Sequence, residues 1–231
     1  MSQTKTKLWY LENFNLFKEL DMKTVMELSQ NSHMSQSRKN QVIFFPESSN
    51  DTVYLLKEGK VKISRLSEDG QGVTLQIIGP GEIFGESGLM GQDHHDNMAE
   101  TIEPAVICAI NKVDFMDFLD RTPKLNRAVN QLIGNRIRKI EAHIEDLVFY
   151  DSRQRILLFL ERHVENFGTY LTDLWEVRPF LTHQEIGEIT ATSRQTVNQI
   201  LNDLKRDGII DFSRQYLWLK DRNRLKSLLP V

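Results

Sequence analysis

The sequence predicts an α+β fold in three consecutive parts: an N-terminal antiparallel β-roll, one long helix, and a C-terminal pair of short helices closed by a β-hairpin. Three observations carry that reading. Eight of the twelve glycines fall between residues 59 and 91, among short β-branched and aromatic runs. Apolar residues then recur at helical spacing over residues 129–147. Finally, residues 181–208 hold two amphipathic segments, each opening on a capping residue and separated by a short turn. A length of 231 residues fits one large or two modest domains. The expected boundaries are 1–121, 122–150 and 151–231.

Residues 13–20 and 21–32 read as helices, the second with Val25, Met26 and Leu28 on its apolar side. Strands are expected over 41–45, 52–57, 60–66, 73–78, 83–84 and 105–110. Several alternate apolar and polar residues, as in Val61-Lys62-Ile63-Ser64, the period of a half-buried strand. Residues 68–72, Glu-Asp-Gly-Gln-Gly, have the composition of a hairpin turn, because Gly and Asp tolerate positive φ. Evenly spaced short strands with Gly-rich turns predict an antiparallel barrel or jelly roll.

Thr122 precedes Pro123, an N-cap followed by the helical position where a missing N–H costs nothing. Up to Tyr150 there is no further proline and one glycine, Gly134. Val129, Ile133, Ile137, Ile140, Ile144 and Leu147 follow one another at steps of four or three residues. Arg136, Arg138, Lys139, Glu141 and Glu145 flank them. This is the periodicity of a coiled-coil seam on a helix about 40 Å long. The stripe either packs on the chain's own barrel or meets a partner helix. So narrow a seam on so long a helix favours the same helix of a second subunit.

Asp151-Ser152 breaks the pattern and reads as a hinge, with Asp151 capping a helix over 153–166 whose apolar residues are Ile156, Leu157, Phe159 and Leu160. Residues 167–180 are irregular to strand-like. Thr182 with Glu185 forms a capping box for a short helix to about Thr190, with Ile186 and Ile189 inward. Ala191-Thr192 turn the chain, and Ser193 caps a second helix with Val197, Ile200, Leu201 and Leu204 on one face. Gly208 stops it. Two such helices joined by a tight turn describe a helix-turn-helix. The outward face of the second shows Arg194, Gln195, Asn198, Gln199 and Asn202. Forked and amide side chains make paired hydrogen bonds to base edges, Arg to guanine and Asn or Gln to adenine. An ordinary solvated face carries more Lys and Glu. Two short strands follow, at 209–212 and 216–219, with Arg214 at the tip where a phosphate contact is natural. The whole is a winged helix.

Composition limits the alternatives. The hydrophobic fraction is 40% and the charged fraction 26%, ordinary for a soluble globular protein. No apolar run reaches the ~20 residues that cross a bilayer, and the N-terminus lacks the apolar stretch of a secretory signal. Cys108 is the single cysteine and cannot build a disulfide, a Cys-rich zinc site or an iron–sulfur cluster by itself. A cytoplasmic protein without membrane contact is expected. The net charge of −3 argues at face value against nucleic acid, yet residues 152–231 carry 12 Lys+Arg against 10 Asp+Glu, and the rest 17 against 22. The acidic excess lies outside the helix-turn-helix part.

The order of barrel, seam helix and winged helix resembles the family of the cyclic-AMP receptor protein and its fumarate–nitrate relative (CRP/FNR). The resemblance spans nearly the whole chain. Its motifs are Gly79-Pro-Gly-Glu-Ile-Phe-Gly-Glu-Ser-Gly-Leu89 and Leu181-Thr-His-Gln-Glu-Ile-Gly followed by Ser193-Arg-Gln-Thr-Val197. It implies a cyclic-nucleotide-binding-like sensor domain and a homodimeric transcription regulator. Such a dimer binds a two-fold symmetric operator and contacts RNA polymerase. The implied DNA-contacting set is Thr182, Gln184, Ser193, Arg194, Gln195, Thr196, Asn198, Gln199 and Arg214. Arg194 stands where the family's guanine-reading arginine stands. Gln195 replaces the usual acidic residue, and Gln199 an arginine found in many relatives, so a related half-site with altered preference is expected.

The effector is less conventional. By resemblance, Gly85, Glu86, Ser87, Asp96, Asn97, Arg136 and Ile140 line the effector site. Gly85-Glu86-Ser87 keeps the ribose-binding half of a cyclic-nucleotide site. Asp96-Asn97 stands where Arg-Ser is expected, and a carboxylate there repels a phosphate. Ile140-Glu141 replaces the pair that meets adenine. Cyclic AMP is therefore not the expected effector, nor is an iron–sulfur cluster, and nothing specifically suggests haem. His94-His95-Asp96, beside Asp93, could ligate a transition metal, but adjacent histidines on such a loop are more often solvated, and no metal is expected. Arg136 either meets an anionic effector or pairs with Glu86 or with the partner chain's Glu141. No catalytic signature occurs, and the spaced glycines of residues 79–91 lie among strands, unlike a P-loop. The rival readings are a constitutive, ligand-independent DNA-binding dimer and, more distantly, a protein-interaction scaffold.

Overall fold

A computed structural model describes residues 6–12, 14–18, 20–67 and 72–230. The chain forms two compact units, residues 1–72 with 76–137 and residues 73–75 with 138–231. No described helix is long and apolar enough to cross a membrane.

The first unit opens with helices α1 (Lys7–Glu12) and α2 (Met22–Gln30). Asp21 caps α2 by accepting from the Thr24 N–H at 3.0 Å. Eight strands follow: β1 (Ser32–Ser37), β2 (Val42–Phe44), β3 (Thr52–Glu58), β4 (Val61–Leu66), β5 (Gly72–Ile78), β6 (Ile83–Phe84), β7 (Met98–Thr101) and β8 (Ala105–Asn111). They form two four-stranded sheets, ordered β1-β8-β3-β6 and β2-β7-β4-β5. In the central pair, β3 up to Leu56 and its partner β8 alternate their side chains between two buried faces. Leu56 and Ile107 join Phe44, Val61, Ile78, Phe84, Ala99 and Ala105 in one core. Val53, Leu55, Cys108 and Ile110 point the other way, onto Phe14, Phe17, Val25 and Leu28 of the N-terminal segment. Helix α3 (Lys112–Arg121) adds Phe115 and Phe118 to this second core, and the start of α4 (Pro123–Phe149) adds Leu125 and Val129.

The second unit continues α4 and turns into α5 (Ser152–Phe167) after two residues. Strands β9 (Gly168–Leu171) and β10 (Leu174–Val177), helices α6 (His183–Ile189) and α7 (Arg194–Arg206), strands β11 (Ile210–Phe212) and β12 (Leu217–Leu219), and helix α8 (Arg222–Ser227) complete it. The sheet order β11-β12-β10-β9 widens the expected hairpin into a four-stranded wing. Helix α5 packs on α7, β10 and α8, and its Ile156, Leu157, Leu160 and Val164 are buried. Val197, Ile200, Leu201 and Leu204 of α7 are buried too.

Several expectations need correction. Of residues 13–20, the described ones give a single 3-10 turn at Asn15–Phe17, with Asn13 and Glu19 outside the described residues. Ser32 heads β1 rather than ending α2, and Met26 is exposed rather than packed with Val25 and Leu28. The turn expected at 68–72 lies outside the described residues except for Gly72, which opens β5. Strands β1 and β7 and helices α3 and α8 were not foreseen from the sequence. The seam also divides. Val129 is 3% exposed and buried in its own unit's core, with Ile133 packed beside it, so neither heads a free stripe. Ile137, Ile140, Ile144 and Leu147 are exposed, Ile140 and Ile144 each 54%.

Candidate nucleic-acid interface and effector site

The helix-turn-helix is built locally. Thr182 accepts from the Glu185 N–H at 3.2 Å, and the Glu185 carboxylate accepts from the Thr182 N–H at 2.9 Å, which closes the capping box on α6. Ser193 accepts from the Thr196 N–H at 3.0 Å and so caps α7. Between them Ala191 adopts φ +48°, and the Thr192 N–H donates to the Gly187 carbonyl at 2.9 Å. A Cβ on Gly187 would lie 2.7 Å from the Thr192 carbonyl oxygen, so only glycine lets the two helices approach this closely. Gly208, at φ +73°, ends the turn after α7.

With its apolar face buried, α7 presents Arg194, Gln195, Asn198, Gln199 and Asn202 outward, all exposed. Arg194 lies near His183, whose pKa is lowered by burial and then by the Arg194 cation. Asn202 donates to the Asn198 carbonyl and side-chain oxygen at 2.8 and 3.2 Å, which orients the Asn198 amide. The Thr182, Ser193 and Thr196 hydroxyls are engaged in capping contacts, and Gln184 donates to Glu188 at 3.1 Å. All four side chains are thus engaged in contacts at or within their own helix. Arg214 is exposed at the wing tip, where Ser213 Oγ accepts from the Gln215 and Tyr216 N–H groups at 3.3 and 3.2 Å.

In the first unit, Gly85 at φ +75° leads into a 3-10 turn spanning Glu86–Met90. The Asn50 amide oxygen accepts from the Gly88 N–H at 2.9 Å and the Ser87 hydroxyl at 2.8 Å, while its nitrogen donates to the Gly85 carbonyl at 3.1 Å. Ser87 is thus committed to holding the turn. The Arg136 guanidinium forms an ion pair with Glu86 and donates to the Ile83 carbonyl at 2.8 Å. Of the alternatives for Arg136, the intrachain carboxylate is the partner present. Asp96 and Asn97 are held by Arg65 of β4, which donates to Asn97 Oδ1 at 3.1 Å and lies 3.5 Å from Asp96. Arg65 has no motif to mark it and was missed in the sequence. Ile140, grouped with the second unit, is exposed.

The His94–Asp96 segment is not assembled as a metal centre. His95 is buried and stacked on Phe44 at 3.7 Å between ring centroids, whereas His94 Nδ1 lies 3.2 Å from the Glu47 carbonyl oxygen. Among the described residues no three His, Cys, Asp or Glu side chains gather at metal-binding geometry. Cys108 is fully buried in the strand core.

Comparison with known proteins places both units. Residues 35–122 match the cyclic nucleotide-binding domain family, and residues 154–228 the Crp-like helix-turn-helix domain family. The chain is 30% identical over 180 residues to the global nitrogen regulator of Synechococcus elongatus, covering 77% of this chain and 81% of that one. It is 25% identical over 215 residues to the CRP-like cAMP-activated global transcriptional regulator of Mycobacterium tuberculosis, covering 93% and 96%. Among solved structures, FixK2 from Bradyrhizobium japonicum shares the fold with a TM-score of 0.75 at 21% identity, over 87% of this chain and 98% of that one.

Proposed function

This chain belongs to the CRP/FNR family of DNA-binding transcription regulators, and we propose that it acts as a homodimer on a palindromic operator under an effector other than cyclic AMP. The observation that carries the reading is the division of α7. Four buried apolar residues fix it to its unit, and an exposed face of one arginine and four amides is free to meet base edges. Arg194 reads guanine, and Gln195, Asn198 and Gln199 read the neighbouring pairs. Thr182, Gln184, Ser193 and Thr196 line the approach, and Arg214 meets a phosphate from the wing. The exposed stripe Ile137, Ile140, Ile144 and Leu147 supports pairing of α4 with its copy in a second subunit. Asp151-Ser152 serves as the hinge between residues 122–150 and the DNA-reading part. Like other regulators that work at promoters, the dimer meets RNA polymerase in the cytoplasm.

The site around Gly85, Glu86 and Ser87 takes the effector. Its carboxylate and the Arg136 guanidinium already satisfy each other, and Asp96 stands where a cyclic phosphate would need a cation. That internal ion pair also favours a second reading, in which the barrel is ligand-independent and the dimer binds DNA constitutively.

Selection of duplexes from a randomised pool by the full-length protein tests the proposal. We expect a palindrome with half-sites about 34 Å apart. Arg194→Ala should lose about 1–3 kcal/mol on that duplex and flatten preference at one guanine. Equal loss on selected and random duplexes would remove Arg194 from base reading. Binding of unliganded protein that matches binding in cell extract would favour the constitutive dimer.

A further inference from the structure

Two arginines of α5 reach back across the break that separates it from α4. Arg155, in the first turn of α5, spends all three guanidinium nitrogens on backbone carbonyls. Its terminal nitrogens donate to Tyr150 at 2.7 Å and to Ala191 at 3.0 Å, and its Nε donates to Thr190 at 2.8 Å. Tyr150 directly follows α4, and Thr190 is the C-cap of α6. Both are helix C-termini, where exposed carbonyls carry partial negative charge and a cation is favoured. The strained Ala191, at φ +48°, lies inside the turn of the helix-turn-helix. One side chain therefore ties the end of α4 to the turn that aims α7.

Arg162, two turns further along α5, makes the second link. It pairs with Asp146 of α4 through both terminal nitrogens, one of them at 3.0 Å from Oδ1. Asp146 is buried, so this ion pair is shielded from solvent on the carboxylate side. The Asp151 capping box fixes where α5 starts: Asp151 accepts from the Gln154 N–H at 2.9 Å, and Gln154 accepts from the Asp151 N–H at 3.1 Å. A change in the angle between α4 and α5 would pull Arg155 from Tyr150 and Arg162 from Asp146. The two-residue connection is short, and what resists its bending is the pair of arginines.

We propose that Arg155 and Arg162 form a clasp that sets the angle between α4 and the recognition helix α7, and so are positioning residues for two-half-site binding. The inference rests on the dimer reading, because only a dimer must hold two recognition helices at a fixed separation to enter successive major grooves. Neither arginine lies on the face that meets the bases. Each acts by raising the fraction of molecules whose two reading helices are already at the correct spacing, and apparent affinity scales with that fraction.

The test uses full-length protein and three duplexes: a palindrome selected from a random pool by the wild type, the same palindrome with its spacer changed by one base pair, and one isolated half-site. Arg155→Ala and Arg162→Ala should each lose about 10- to 100-fold on the selected palindrome and bind the altered spacer nearly as well. Half-site affinity should stay within about threefold of wild type, because α7 is intact. Arg162→Lys, which keeps the ion pair with Asp146, should retain the spacing preference. A wild type that shows no preference for the palindrome overturns the dimer reading and this inference with it. A wild type that discriminates, with variants that discriminate equally, overturns the clasp alone. Equal loss on palindrome and half-site also overturns it. So does a variant that no longer melts cooperatively, because the arginines are then part of the fold and not its aim.

Discussion

At the scale of single residues, Lys57 is a lysine buried in a strand. The β3–β8 register shifts between Leu56 and Glu58, so Lys57 is the extra residue of a β-bulge, the device by which a strand re-aims a side chain. It is only 8% exposed, its Nζ lies 3.5 Å from the centre of the Phe14 ring, and among the described residues that Nζ has no hydrogen-bond partner. Burial pulls its pKa down to about 7. The unfolded chain binds this proton near pH 10.4 and the folded chain only near 7, so between those values unfolding takes up a proton. Stability from this group therefore rises with pH across that window and is lowest below it. Replacing Lys57 by methionine keeps the stem and deletes the charge. The variant should be more stable than wild type by about 2–4 kcal/mol at pH 7, and the gap should close as the pH approaches 10. Denaturant melts at several pH values check this, and a gap that is constant with pH would mean that Lys57 binds its proton as tightly in the folded chain as in the unfolded one, as a solvated lysine does. Nothing in the sequence marked Lys57, because a bulge is a property of two paired strands. Arg155 was equally hidden, since its acceptors are backbone carbonyls, which no residue type announces.

At the scale of elements, legibility follows how local each element's causes are. The capping residues Thr182 and Ser193 and the stripe Val197, Ile200, Leu201 and Leu204 lie within one short stretch, so α6 and α7 could be read directly. Strand β1, Ser-His-Met-Ser-Gln-Ser, has almost no apolar content and exists because β8 pairs with all six residues. Helix α3 holds only two buried aromatics, too few for a period to show. In α4 the period was legible but its two destinations were not. Leu125 and Val129 belong to the first unit's core, whereas Ile137, Ile140, Ile144 and Leu147 are exposed. Four large aliphatic side chains exposed along one stripe predict an interface. Ile140→Glu combined with Ile144→Glu should place four carboxylates in the seam of a dimer and convert it to monomers. Because both side chains are exposed, the thermal unfolding of the monomer should stay close to that of wild type. Sedimentation velocity reads the outcome, and a double variant that remains dimeric would move the subunit contact off this helix.

At the scale of the whole molecule, a net charge of −3 must be reconciled with a polyanionic partner. Part of the answer lies in how the acidic residues of the DNA-reading unit are spent. Glu185 is held by the Thr182 N–H and hydroxyl, Asp203 by Arg206 at 2.8 Å, Asp211 by Lys205 and Lys220, and Glu161 by Arg222 and Lys226. These pairs remove repulsion, but they also occupy basic groups that a strongly electrostatic binder would turn toward phosphates. Of the arginines outside such pairs, Arg194 is exposed on α7 and Arg214 at the wing tip; on the proposed reading the first meets bases and the second a phosphate, which gives few phosphate contacts per subunit. The logarithm of operator affinity against the logarithm of salt concentration should therefore fall with a slope of magnitude about 4–6 for the dimer, modest for a regulator. Arg214→Ala should lower that slope by about 2, one for each subunit, and weaken selected and random duplexes alike. Arg194→Ala should instead weaken the selected duplex most. Titrations at several salt concentrations separate the two. A wild-type slope near 10 would mean that phosphate attraction, rather than paired contacts of two α7 helices held at one spacing, supplies most of the affinity.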